Sequence, residues 1–576
     1  MSVRFFSPMI YNKRYQIALI LFLVTIPYLN SFSCSFHFDD NYVILSDPLI
    51  RDMRNLPEIF SGAFERPLLR ASFALNYAFN GLNVAGYHLF NLVLHLTVCL
   101  EIFYLAKLLE KMFARGQEKS FFPLLSALAF GMHPLFTGSV TYIASRSAAM
   151  ATFFYLLSMI FVVLALERKD VNKRRRDVFL LFSVAAFAAG FLVKEIIVTL
   201  PAMLVIYLFI GYDGRPGTFA KKYMLPAAVF FFVLGGYFLA RYAAFEHIIP
   251  SDEARIYEGV LSPYHYFLTE LKVIVFYYLK WLLVPVGGPF ADPDIPAETT
   301  FLSASVLLSA GFISSVIFLA LKYRKRFPIP SFGVLWFFIT LLPTSSIFPL
   351  GDVAVERHVY LPGAGFSLIA GSILEGLRKK IPAKAALAVF TLLFVFLGYA
   401  TAERNKVWLS EVTLWEDAAG KSPQKVRVLN NRAFAYMIEG ELDIAARYYA
   451  ELLAQFPEYP YGHSNLGSIY EAQGRIAEAI QEYQEAVRLR PDNPLLRAKL
   501  GAAYDKAGSR LAAIEQLNAA LAGDPSNPQI MALLALVLSK NGDFGRAAAL
   551  AGKSLELDPQ NRLAAEIMRQ IHERQK

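Results

Sequence analysis

The sequence predicts an all-α protein in two parts, a polytopic membrane helical bundle of about eleven transmembrane helices over residues 1–402 and a soluble α-solenoid over residues 425–576. Three observations predict this. Of the 576 residues 56% are hydrophobic, aromatics reach 14% with 49 Phe, and mean hydropathy is +0.41, which no single soluble core explains. Runs of 18 or more apolar residues recur from residue 15 to about residue 402 and then stop. Beyond them Pro423, Pro457, Pro491, Pro525 and Pro559 stand 34 residues apart, and so do Gly440, Gly474, Gly508 and Gly542.

In chain order the expected spans are roughly 15–32, 89–109, 121–137, 147–166, 178–193, 196–211, 223–243, 301–321, 332–348, 359–377 and 385–402. The basic residues cluster in short connections between them: Lys13 and Arg14; Lys107, Lys111, Arg115 and Lys119; Arg168 to Arg176; Lys221 and Lys222; Lys322 to Arg326; and Arg378 to Lys384. The positive-inside rule puts these connections in the cytoplasm, with the amino terminus inside and the repeats outside. The net charge of +9 is thereby loop charge and implies no nucleic-acid partner. Tyr264 to Val284 is apolar enough for a twelfth span. Counting it would put Asp292, Asp294 and the Lys322 to Arg326 loop on conflicting sides, so it is read as interfacial or re-entrant. The first helix is expected to stay uncleaved although Arg4, Lys13 and Arg14 precede it, because Phe32 and Ser33 before Cys34 fit a lipoprotein site poorly. Cys34 and Cys99 are too few for a disulfide framework or a cysteine metal site.

In the repeats, small residues recur at Ala433, Gly467, Gly501 and Ala535 in one helix and at Ala445, Ala479, Ala513 and Ala547 in the next. Period and pattern resemble the tetratricopeptide repeat, implying four two-helix units over about 425–560 and a capping helix from Arg562 to Lys576. A connecting amphipathic helix is expected over 403–424, where Trp408, Leu409, Leu414 and Trp415 would seat the first repeat. Arrays of this kind bind peptides or proteins along a concave face. An inert spacer is the alternative.

Polar residues on the outer side carry the chemistry. Asp39 and Asp40 follow the first helix within a loop running from Phe36 to Gly86, which also holds Glu65 and Arg66 and is followed closely by His88. A paired acid at the mouth of a bundle can hold a proton, a cation or a sugar hydroxyl. His88, Asn91 and His95 share one helix face by their spacing. His133-Pro134 and Arg146 lie at the outer ends of the third and fourth spans, where Arg146 either snorkels or binds an anion. Lys194 and Glu195 interrupt an apolar stretch, which predicts an outer hairpin between two helices. Arg357 beside His358 opens the penultimate span, where a guanidinium could bind phosphate in bidentate fashion, unless it merely pairs with Glu356 at the surface.

These stretches, FDD after the first helix, RPL followed by NY and GYHLFNLVLH, HPLFTGSVTYIASR, VKE with TLP, ERHVYLP and the repeats, resemble the transmembrane and tetratricopeptide-repeat-containing glycosyltransferases of the wider GT-C type. The resemblance covers nearly the whole chain. It implies a GT-C-like membrane domain that transfers a sugar, mannose in protein O-mannosyltransferases, from a polyprenyl-phosphate donor to a Ser or Thr hydroxyl of an acceptor outside the cytoplasm. On that resemblance Asp39 or Asp40 would be the base, and Arg357, Lys194 and Arg146 the donor-phosphate ligands. Arg66, His88, His133, Glu195 and His358 would line the cavity. A divalent cation, Mg or Mn, could assist at Asp39 and Asp40, although two adjacent acids do not demand one. The expected partners are the lipid-linked sugar, a protein or peptide held by the repeats, and membrane lipid, in a bacterial inner membrane with periplasmic repeats. A lipid or glycan acceptor would suit the same chemistry. The rival reading is a membrane scaffold whose repeats assemble an envelope complex; it predicts that Asp39→Asn is silent while changes at Asn465 or Arg497 are severe.

Overall fold

The computed structural model describes residues 11–61, 66–113, 120–167, 173–211, 216–245, 261–285 and 291–575. Among them every regular element is helical. The chain divides into two compact units, one up to Leu414 and one from Trp415, with the division inside the helix Glu411–Lys421.

In the first unit, five helices are long and apolar enough to cross a membrane, by length and composition: Lys13–Ser33, Val84–Phe113, Ile143–Leu166, Ala304–Lys322 and Ala383–Lys406. Shorter apolar helices include Phe122–Gly131, Glu195–Gly211 and Pro328–Leu341. The middle of this unit is built on Val84–Phe113 and Ile143–Leu166, each 61% buried over its most apolar window, while Ala304–Lys322 at 17% and Ala383–Lys406 at 28% keep most of their apolar surface outward. Leu308, Phe318 and Tyr399 are among the side chains so exposed, as a lipid-facing rim requires. Small residues let the inner helices close up: a Cβ on Gly333 would lie 2.6 Å from the Gly365 carbonyl oxygen, so Pro328–Leu341 and Tyr360–Lys380 meet backbone to backbone.

Several boundaries differ from expectation. The span expected over 121–137 is a ten-residue helix, Phe122–Gly131, followed by a 3-10 turn at Pro134–Phe136, because Pro134 cannot continue the hydrogen-bond ladder. Tyr264 to Val284 is one continuous helical run, Pro263–Val273, Ile274–Leu279 and Lys280–Leu283, whose middle is a π-bulge. The stretch expected as one loop from Phe36 to Gly86 contains the helices Leu56–Ser61 and Pro67–Asn80. The turn expected at Lys194 is present, with Phe191 ending one helix and Glu195 opening the next. Arg4, Glu65, Arg115, Lys119 and residues 168–172 lie outside the described residues, as do the side chains of Lys221 and Lys222.

The second unit is four antiparallel helix pairs, Val426–Ile438 with Leu442–Gln455, Pro460–Ala472 with Ile476–Leu489, Pro494–Lys506 with Arg510–Gly523, and Pro528–Lys540 with Phe544–Leu557, ended by Arg562–Gln575. The four periodic glycines at 440, 474, 508 and 542 have φ between +76° and +89°, the left-handed conformation that ends the first helix of each pair. Nothing lies within 4 Å of the Cβ position at Gly508, so the demand there is backbone conformation rather than space. Gly508→Ala should therefore destabilise the third repeat by about 1 kcal/mol, read as faster amide exchange over residues 494–523.

His463 opens the second pair with its Nδ1 2.7 Å from Glu482 Oε2 and its Nε2 3.0 Å from the Pro457 carbonyl oxygen. The Glu482 hydrogen bond, first among the causes, holds this imidazole above the usual histidine range. A raised histidine stabilises the fold fully below its unfolded value near 6.5, and that contribution is lost as pH rises through the folded value. The melting temperature of the repeats should thus fall as pH rises above about 6.5. His463→Gln should flatten that dependence.

Candidate functional site

The first helix has Asn12 as its cap, whose side chain accepts the Arg14 N–H, and it runs to Tyr28 before a 3-10 turn, Leu29–Ser33, leads the chain to the two acids. They are not equivalent. Asp40 is fully buried, its Oδ2 accepting the His37 N–H at 2.9 Å and its Oδ1 the Ala144 N–H at 2.6 Å. Burial pushes its carboxyl up to about 7, against the pull of those two amides. Asp39, next to it, has an exposed side chain. Its own N–H donates to the Tyr142 hydroxyl at 3.0 Å, and its carbonyl oxygen accepts from Tyr42 and Val43 at 3.0 and 2.9 Å. The residue before the pair, Phe38, has φ of +43°, a conformation that costs a non-glycine residue about 1–2 kcal/mol.

The extended run before the acids is anchored on the stretch that follows the last apolar helix. His37 is buried, with Nε2 2.7 Å from the Trp408 carbonyl oxygen and Nδ1 3.3 Å from Glu411 Oε1. The Ser35 N–H donates to the Leu409 carbonyl at 3.3 Å. The Tyr142 ring stacks on the Trp408 indole with centroids 5.6 Å apart and planes 5° from parallel. Trp408 and Leu414 thus pack with Cys34 and Tyr142 inside the first unit. Both cysteines are free thiols.

Arg357 is partly exposed and its Nη2 lies 3.4 Å from Asp352 Oδ2. Its charge reaches the Tyr142 hydroxyl, which burial first, and then Asp39 and Asp40, push well above the usual phenol range. The neighbouring His358 is buried with Nδ1 3.3 Å from the Tyr278 hydroxyl. Burial, then the positive charges of Arg357 and Lys194, hold His358 well below the usual range, so it is neutral. Arg357 is thus felt at Tyr142 together with Asp39 and Asp40, and at His358 together with Lys194. Glu356 does not pair with Arg357 at the surface. It is buried, its Oε1 2.6 Å from Arg404 Nη2 and its Oε2 accepting the Gly138 N–H at 3.0 Å.

The remaining residues singled out from the sequence divide between rim and interior. Glu195 is shared by Arg241, at 3.2 Å, and Arg66, at 3.7 Å, and Arg66 itself has φ of +54°. Arg146 is fully buried and neither snorkels nor faces an anion site. Its Nε donates to Asn91 Oδ1 at 2.7 Å, Nη1 to the Ser72 carbonyl and hydroxyl, and Nη2 to the Tyr87 carbonyl, with the Phe73 and Phe90 rings 4.6 and 4.2 Å away. Its donors tie together the Pro67–Asn80 and Val84–Phe113 helices, which removes it from the donor-phosphate set. His133 is likewise enclosed, bonded through Nε2 to the Leu282 carbonyl and through Nδ1 to the Leu135 N–H. His88, Asn91 and His95 do share a face, and each binds a different carbonyl, of Cys34, Val140 and Gly131. That face is a packing seam. Among the described residues no three His, Cys, Asp or Glu side chains are grouped to hold a metal ion, and Asp40 already spends both oxygens on backbone amides. The pair does not fit a built Mg or Mn site.

Two family models match the carboxyl-terminal part, one described as TPR repeat over residues 467–508 and one as tetratricopeptide repeat over 499–562. Residues 467–562 are therefore tetratricopeptide repeats. Across most of the chain the similarity is to curated proteins of one name. A protein O-mannosyl-transferase of Caenorhabditis elegans is 24% identical over 436 residues, covering 72% of this chain and 59% of that protein. The protein O-mannosyl-transferase TMTC3 of Mus musculus is 25% identical over 499 residues, covering 79% and 53%, and that of Drosophila melanogaster 25% over 524 residues, covering 77% and 55%. The chain is a homologue of the protein O-mannosyl-transferases. It spans little more than half the length of these relatives.

In this homologue of the O-mannosyl-transferases, sequence reasoning missed the partners that give the site its shape. Tyr142 was legible only as one letter of SVTYIASR, and His37 as the residue before FDD. Glu411 carried no signal, since it lies 374 positions from His37 and opens an ordinary amphipathic helix. Arg404 had one: an arginine near the end of an apolar helix asks for an acid.

Proposed function

We propose that this chain is a membrane glycosyltransferase that moves a sugar, mannose or another hexose, from a polyprenyl-phosphate donor to a hydroxyl outside the cytoplasm, a protein Ser or Thr recruited by the repeats. The observation that carries the reading is the exposed Asp39, held beside a buried Asp40 with its amide on the Tyr142 hydroxyl, where the charge of Arg357 is also felt. The names of the relatives, protein O-mannosyl-transferases, support the same chemistry. Asp39 accepts the proton of the acceptor hydroxyl as its oxygen attacks the anomeric carbon. The bond from that carbon to the phosphate oxygen breaks with inversion, and polyprenyl phosphate leaves with the electron pair, its charge met by Arg357 and Lys194. Asp40, bonded to two amides, orients the loop. No step calls for a metal ion.

The test is glycoproteomic. A strain deleted for this chain, complemented with the wild type or with Asp39→Asn, is compared by mass spectrometry for hexose on extracytoplasmic proteins. Loss of one defined hexose in the deletion and in Asp39→Asn supports transfer. Identical profiles in all three leave the scaffold reading instead.

A further inference from the structure

We infer that Glu411 and Tyr142 are positioning residues for Asp39, an inference that rests on the reading of Asp39 as the base. Three successive backbone N–H groups in the acid loop are each taken by a side-chain oxygen from a different place. Asp40 Oδ2 accepts from His37 at 2.9 Å, Glu411 Oε1 from Phe38 at 3.4 Å, and the Tyr142 hydroxyl oxygen from Asp39 at 3.0 Å. Regular secondary structure would bond these amides to carbonyls along one ladder. Here the chain turns through Phe38 at φ +43°, and side chains do that work. The arrangement over-determines a strained residue, the condition under which such a conformation persists.

The consequence falls on Asp39. With His37, Phe38 and Asp40 tied down, its side chain is the exposed one of the segment, and its direction follows from where its amide is pinned. Glu411 acts twice, because Oε1 also faces His37 Nδ1 at 3.3 Å while His37 Nε2 donates to the Trp408 carbonyl at 2.7 Å. Tyr142 is held in turn by its stack on Trp408 and an edge contact with Phe38, centroids 5.8 Å apart. Neither Glu411 nor Tyr142 needs to touch substrate. Each fixes the base to the fraction of an ångström that proton transfer demands.

Two conservative variants separate positioning from folding. Tyr142→Phe keeps the stack and removes the acceptor of the Asp39 N–H. Glu411→Gln keeps an oxygen in the Oε1 position for the Phe38 N–H, whereas Glu411→Ala removes it. Full-length chain in lipid nanodiscs is followed by amide hydrogen exchange over residues 37–43, and the same variants are scored for acceptor hexose occupancy in the complemented deletion strain. Expected for Tyr142→Phe and Glu411→Ala is at least tenfold faster exchange in that segment alone and at least tenfold lower occupancy at unchanged membrane level, with Glu411→Gln restoring both. Fast exchange with wild-type occupancy overturns the inference, and so does unchanged exchange. A fall in protection across the whole first unit in both Tyr142→Phe and Glu411→Ala would mean a folding role and overturns it too. If Asp39→Asn itself keeps wild-type occupancy, the glycosyltransferase reading falls and takes this inference with it; if only Asp39→Asn is inactive, the inference falls alone.

Discussion

On the proposed function, Asp39→Asn is expected to abolish hexose transfer, by at least a factor of about 100, while the protein reaches the membrane at the wild-type level. The amide is nearly isosteric with the carboxylate, and the side chain is exposed, so packing is untouched. Only the charge and the proton acceptor are lost, and a positioned base contributes about 10²–10⁴ in rate. The same change at Asp40 behaves differently. Its two oxygens accept from His37 and Ala144, and an amide would set an N–H₂ against one of those backbone donors. Asp40→Asn should therefore lower the amount of folded protein or loosen the loop. Quantitative immunoblotting of membranes beside the glycan measurement distinguishes the two, and equal loss of protein in both variants would deny Asp39 its chemical role.

Glu356→Ala is the second large effect, and it is on folding. Glu356 and Arg404 meet at 2.6 Å with side chains only 5% and 7% exposed, and the same carboxylate accepts the Gly138 N–H. Removing the acid takes the carboxylate away from a buried guanidinium and the acceptor away from the Gly138 N–H, and breaking a buried pair costs about 3–5 kcal/mol. The purified variant should melt well below wild type, or fail to accumulate. Glu356→Leu combined with Arg404→Met removes both charges together and should recover much of the loss. Additive losses in the double variant would mean that the two residues stabilise the bundle independently.

How much was legible follows from the range over which each signal acts. The repeats were readable to the residue: the 34-residue glycines all take positive φ, and the small positions at Ala433, Ala445 and Ala479 are fully buried. The apolar runs located the helices, while their ends moved where Pro134 or a π-bulge intervened. Of the proposed site, the sequence offered Asp39, Asp40, Lys194 and Arg357 as candidates by residue type. Arg146 looked identical in kind to Arg357, yet it is enclosed by Asn91, Ser72, Tyr87 and aromatic rings.

The sequence by itself determined the all-helical class and the membrane and repeat halves, and offered the candidate site residues by type, because hydrophobic periodicity, turn glycines and charge are properties of neighbours along the chain. Only the tertiary structure decided which of two adjacent acids is buried, that Glu356 pairs with Arg404 rather than with the arginine beside it, and that Glu411 reaches back to the loop of Asp39. Burial and hydrogen-bond partnership are set by segments that meet only after folding, and the cost of leaving a buried polar group unpaired selects among partners that sequence alone leaves equivalent.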